Sequence, residues 1–226
     1  MTAHQVRREP RAWFTPRRPD RAVRPWGEAL ARSGRRRILD VGCGGGRHVV
    51  YLVRRGLSVS AGDRSPLALG ETARWLASEG LQADLVQFEM TALPFRSETF
   101  DAVLSVNVLH PARRDEARAA VHEAWRVLRP GGLFLAVLGG GPDCRCLLAR
   151  PVCASRALPG RPCPVEPAPH CDPHSLQGLF AGFRILGSQR ETLTLPCATG
   201  PPCRRGVNWR VWAERPVSWH EEPSAL

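Results

Sequence analysis

Residues 38–47 read Ile-Leu-Asp-Val-Gly-Cys-Gly-Gly-Gly-Arg, so that Asp40, Gly42, Gly44 and Gly46 recur at every second position. Glycines lack a Cβ and let a backbone approach a ligand closely. A strand running into such a loop and then into a helix places it at the carboxyl edge of a parallel sheet. The chemistry this arrangement supports is the binding of a nucleotide-like cofactor. The dinucleotide pattern G-x-G-x-x-G, started at Gly42, needs a small residue at position 47, where Arg47 stands. Asp63 ends a second apolar run, where its carboxylate can accept hydrogen bonds from both hydroxyls of a ribose. Cys43 lies between two glycines, which suits its small size, and no base is implied nearby to activate its thiol. His48 falls in the first turn after the loop, where it either touches the ligand or packs.

These residues need a scaffold that gathers them at one edge. From position 37 onward, short apolar runs alternate with helical stretches, the pattern of a parallel sheet wrapped by helices. Residues 37–41 give a first buried strand and 47–55 a helix. Strands follow at 57–61, 84–88, 102–106 and 133–138, with helices at 66–78 and 113–128. A short helix at 173–180 precedes strands at 183–193 and 207–214, whose connection is too short for a crossover helix. The expected fold is α/β: a doubly wound, Rossmann-like seven-stranded sheet, mostly parallel with an antiparallel edge strand. Trp209 and Trp212 are three apart in the last strand and are expected on opposite faces.

The chain of 226 residues suffices for one hydrophobic core. Its formal charge is +11, and all 32 basic residues are Arg. The absence of Lys excludes Schiff-base chemistry and P-loop hydrolysis, both of which need an ε-amine. A charge this positive points to nucleic acid or an anionic membrane, although abundant Arg, Ala, Gly and Pro beside a single Tyr also fit GC-rich coding. No apolar run approaches the roughly 18 residues of a membrane span, and the first 30 residues lack a secretory apolar stretch. A cytoplasmic protein is expected. Residues 1–36 read as a basic leader, with Pro10, Pro16, Pro19 and Pro25 breaking the helix of a transit peptide, so that it wraps the surface. Residues 37–226 form the main domain, with a Cys- and Pro-rich insertion at about 139–172. Cys144-Arg-Cys146 and His170-Cys171-Asp-Pro-His174 invite zinc but lack C-x-x-C and the usual His spacing, so no metal is expected.

Four ordered segments carry a resemblance. Asp40 to Gly46 resembles motif I of class I S-adenosylmethionine-dependent methyltransferases. Phe88-Glu-Met-Thr-Ala-Leu-Pro-Phe95, Thr99-Phe-Asp-Ala-Val-Leu-Ser-Val-Asn-Val-Leu-His110 and Leu128-Arg-Pro-Gly-Gly-Leu133 resemble three later segments of that family. The stretches 46–56 and 63–69 look most like its small bacterial, tellurite-resistance-like type. The resemblance implies S-adenosyl-L-methionine as cofactor, with Asp40 at its methionine end, Asp63 on its ribose, and Glu89 accepting from the adenine amino group where the family usually has Asp. It also implies cofactor contacts at Gly42, Cys43, Gly44, Gly46, His48, Arg64, Met90, Val106 and Asn107. His110 ends the fourth strand, where it either serves as general base or completes a turn before Pro111. The expected reaction is methylation of a small-molecule acceptor. An RNA acceptor and a non-catalytic cofactor- or partner-binding protein are the rivals, and the acceptor atom and the oligomeric state stay open.

Overall fold

A computed structural model describes residues 17–109, 114–140, 173–195 and 203–217. Along the chain run α1 (Val23–Arg32), β1 (Arg37–Val41), α2 (Arg47–Val53), β2 (Ser58–Asp63), α3 (Pro66–Ser78), β3 (Asp84–Gln87) and β4 (Phe100–Val106). There follow α4 (Arg114–Val127), β5 (Leu128–Gly140), α5 (Pro173–Leu179), β6 (Arg184–Leu195) and β7 (Cys203–Glu214). In β1 every residue after Arg37 is buried, because helices cover both faces of a parallel sheet and leave no solvent side to alternate with. At α3 the Ser65 hydroxyl accepts from Ala68 N–H at 3.3 Å and Pro66 opens the first turn, so the helix starts where the sequence places it.

The seven strands form one sheet in the order β3-β2-β1-β4-β5-β7-β6. Strand β1 pairs parallel with both β2 and β4, so chain direction across the sheet reverses between β1 and β4, the place where such sheets open a crevice. The other inner pairs, β2 with β3 and β4 with β5, are also parallel. Strand β7 runs antiparallel to both β5 and β6. The antiparallel pair thus forms one edge as expected, with the reversed strand as its inner member. Strand β5 begins earlier than its apolar run suggests. Pairing jumps from Leu128 opposite Phe100 to Leu133 opposite Ala102, so the Arg129 to Gly132 turn is a bulge within the strand.

Two apolar layers sandwich the sheet. Leu39, Val103, Phe134, Leu179 and Phe180 pack on one face with α4 and α5. Ile38, Val49, Leu52, Leu104 and Leu135 pack on the other with α1, α2 and α3. Trp209 joins the first layer and Trp212 the second, on opposite faces as their spacing requires. No helix among the described residues is long and apolar enough to cross a membrane.

The described part of the Arg-rich leading stretch does more than lie on the surface. Helix α1 buries Val23, Trp26 and Leu30 in the second layer, a stripe at helical spacing set among arginines. Pro25 sits in its first turn, where no intrahelical N–H is needed. Just before it, Asp20 Oδ1 accepts from Ala22 N–H at 2.8 Å and Asp20 N–H donates to His48 Nε2 at 3.2 Å. Arg210 of β7, its side chain 4% exposed, reaches Asp20 at 3.2 Å and Glu191 of β6 at 2.6 Å. Burial works against the Asp20 charge, but Ala22 N–H and Arg210 outweigh it and hold its pKa below the usual range. One guanidinium therefore ties the segment before α1 to the antiparallel edge. Replacing it in Arg210→Met leaves Asp20 with the Ala22 N–H and Glu191 with Arg21 at 2.9 Å, and urea unfolding is expected to give a loss of about 2 kcal/mol.

Candidate active site

The loop after β1 is shaped by strand ends on either side. Gly42 N–H and Cys43 N–H both donate to Gly62 O of β2, at 2.8 and 3.0 Å. Gly42 has φ of 74°, and a Cβ there would stand 2.3 Å from Val108 Cγ2, so only glycine fits. Gly44 N–H donates to Asp63 Oδ2 at 3.0 Å, and Ser65 N–H donates to Asp63 Oδ1 at 2.9 Å. The Asp63 carboxylate is thereby fixed at both oxygens, with a lone pair left on each for a ligand. A Cβ at Gly44 would meet nothing within 4 Å. It would project into open space, which the missing side chain leaves to a ligand.

That space is a cleft of about 380 Å³ at the crevice between β1 and β4. Of the residues singled out from sequence, Gly42, Gly44, Asp63, Arg64, Glu89, Met90, Val106 and Asn107 line it. Asn107 takes a left-handed conformation, φ 61°, and its N–H donates to Val137 O at 2.9 Å, which turns the chain over the end of β4. Gly45, Ser65, Ala68, Phe88, Val108 and Glu116 line it as well. Phe88 and Ser65 are immediate neighbours of residues already chosen. Val108 likewise follows the chosen Asn107, whereas Glu116 arrives through the tertiary fold, with no local signal.

Four of the chosen residues stand elsewhere. Asp40 is fully buried below the loop, and neither carboxylate oxygen has a hydrogen-bond partner among the described residues. Burial raises its pKa to about 7, opposed by the charge of Arg47 and reinforced by that of Asp63. Cys43 is 3% exposed, and burial pushes its thiol well above the usual range, which removes it as a nucleophile at neutral pH. Gly46 caps α2 with φ of 84° and backs onto Thr72 of α3. His48 turns inward, 4% exposed and spent on Asp20 N–H; burial lowers its pKa to about 3, so it is neutral. His110, Cys144, Cys146, His170 and Cys171 lie outside the described residues. Among the described residues no group of three or more His, Cys, Asp and Glu is placed to hold a metal ion.

Residues 38–132 match the family model described as a methyltransferase domain. Over 100 residues the chain is 37% identical to the uncharacterized methyltransferase YodH of Bacillus subtilis, covering 44% of this chain and 42% of that one. Over 119 residues it is 33% identical to a ubiquinone biosynthesis O-methyltransferase of Parvibaculum lavamentivorans, covering 52% and 44%. It therefore spans less than half the length of these relatives. A SAM-dependent methyltransferase of known structure from Methanosarcina mazei superposes with a TM-score of 0.59 at 23% identity, covering 80% of this chain and 93% of that one. The matched span holds β1 to β4, the glycine loop, Asp63 and Glu89, so that residues 38–132 are similar to a methyltransferase domain, set in a sheet of the same fold as the solved methyltransferase.

Proposed function

We propose that this protein transfers the methyl group of S-adenosyl-L-methionine to a small-molecule acceptor in the cytoplasm. The observation that carries the reading is the Asp63 carboxylate, locked by two backbone N–H groups in a cleft that Glu89 and Met90 also line. Asp63 accepts from the ribose hydroxyls. Phe88 and Met90 give the adenine an apolar seat, and Glu89 accepts from its amino group. Gly44 and Gly45 leave room for the methionine portion, and Arg64, Val106 and Asn107 close the walls. The cofactor supplies an already activated methyl group. The chain's task is then alignment and exclusion of water, and no triad or metal is called for. His110, four residues after β4 in the sequence, is the candidate base for acceptors that lose a proton. A small-molecule acceptor is favoured by the relative named for ubiquinone biosynthesis.

Calorimetry with S-adenosylhomocysteine is expected to give one site per chain. In Asp63→Ala, where charged hydrogen bonds worth about 2 kcal/mol each are lost, Kd is expected to rise at least about 30-fold. A methyl-transfer screen over phenols, small acids, thiols and bulk RNA is expected to find turnover among the small molecules; turnover on RNA alone would contradict the acceptor class.

Asp40 gives a pH signature. Its folded pKa of about 7 exceeds the unfolded 3.8, so the folded state holds the extra proton and stability falls as pH rises between them. His48 acts in the opposite sense. Its folded value of about 3 lies below the unfolded 6.5, so stability rises with pH across that interval. The two slopes oppose each other from about pH 4 to 6.5. In Asp40→Asn the falling slope disappears, and its stability relative to the parent is expected to climb by up to about 1.4 kcal/mol per pH unit from pH 4 to 7 in urea unfolding.

A further inference from the structure

The glycine loop has a second anchor, on the side away from Asp63. Thr72 of α3 is fully buried, and its hydroxyl donates to Gly44 O at 2.7 Å. Gly44 is therefore gripped at both of its backbone polar groups, its N–H by Asp63 and its carbonyl by Thr72. A trans peptide points its carbonyl and the next N–H in opposite directions, and the chain has no cis bond among the described residues. With Gly44 O drawn toward α3, Gly45 N–H is turned to the opposite side. Gly45 lines the cleft, and its N–H has no hydrogen-bond partner among the described residues. A free donor at a loop bend, aimed at the ligand space, suits an anionic group such as a carboxylate.

We propose that Thr72 is a positioning residue for the cofactor: its hydroxyl holds the Gly44–Gly45 peptide so that Gly45 N–H faces the carboxylate of the bound S-adenosylmethionine. This rests on the function proposed above. Thr72 itself does not line the cleft and acts through the loop. The fit is tight as well as polar, since a Cβ at Gly46 would stand 2.8 Å from Thr72 Oγ1 and Cγ2. Replacing the hydroxyl by a methyl puts a carbon where a 2.7 Å hydrogen bond was, which drives the carbonyl away and lets the peptide rotate.

The test separates hydroxyl from bulk by measuring both the Kd for S-adenosylhomocysteine and the thermal midpoint of the unliganded protein. Thr72→Val keeps the shape and loses the donor; Thr72→Ser keeps the donor and loses a buried methyl. The expected result is a Kd about tenfold higher in Thr72→Val, with Thr72→Ser within about twofold of the parent even though its thermal midpoint falls. Thr72→Ala, which has neither group and cannot clash, is expected to share the weak binding. The proposal is overturned if Kd follows the thermal midpoint across the three variants, or if Thr72→Val binds like the parent. If the parent binds no S-adenosylhomocysteine, the function proposed above fails and this inference with it. Tight binding by the parent and by every Thr72 variant sinks the inference alone.

Discussion

The hydrogen bond from Gly44 N–H to Asp63 Oδ2 sets the shape of the cleft's glycine wall. Asp63 closes β2 and Gly44 lies in the loop after β1, so this bond fixes the loop against the end of the neighbouring strand. Parallel pairing of β1 with β2 brings Val41 beside Gly62, so that Gly62 O receives Gly42 N–H and Cys43 N–H while the next residue grips Gly44. The register of the sheet thus becomes the geometry of the loop. A carboxylate in this position has two tasks, since it satisfies loop N–H groups in the absence of ligand and keeps lone pairs for hydroxyl donors. The cleft wall from Phe88 to Met90 is placed by β3, which pairs with β2 up to Gln87 opposite Asp63.

Much of this was legible in the residues because both faces of the parallel strands are buried. Such strands read as unbroken apolar runs, and the runs at β1, β4 and the core of β5 stand out against polar helices. The edges were legible where side-chain chemistry marks them, as Ser65-Pro66 marks the start of α3. Helix α1 was hidden because arginines surround its three buried positions and Pro25 lies within it. Strand β5 looks short in the sequence because Pro130 and two glycines resemble a terminating turn, whereas the chain bulges there and keeps its pairing on both sides. At the site, spacing alone could not tell which way a side chain in the first turn of α2 points. His48 points inward because Asp20 N–H needs an acceptor there. Thr72 carried a usable signal. It shares a buried stripe with Ala68 and Leu76, and a hydroxyl on such a stripe implies a polar group across the interface.

The cleft and the antiparallel edge are held in different ways. On the α3 side, glycines, Asp63 and Thr72 form a rigid backbone cradle. On the side of α1 and the antiparallel edge, the organising group is a charge, with Arg210 holding Asp20 and Glu191. Asp40, buried and without hydrogen-bond partners among the described residues, lies below the loop near Arg47. Its desolvation is a standing cost to the fold, of the kind that functional sites retain and ordinary cores eliminate. The large positive charge of the whole chain has little part in this, since the anchoring groups of the cleft are acids and backbone N–H donors.

The central claim is that the crevice between β1 and β4 holds S-adenosylmethionine with its ribose on Asp63. Diffraction from crystals grown with S-adenosylhomocysteine tests it most directly. Density for the ligand is expected to run from Gly44 to Glu89, both ribose hydroxyls within 3 Å or so of the Asp63 carboxylate. Density at another place in the molecule, or a ligand whose ribose lies away from Asp63, would contradict the account.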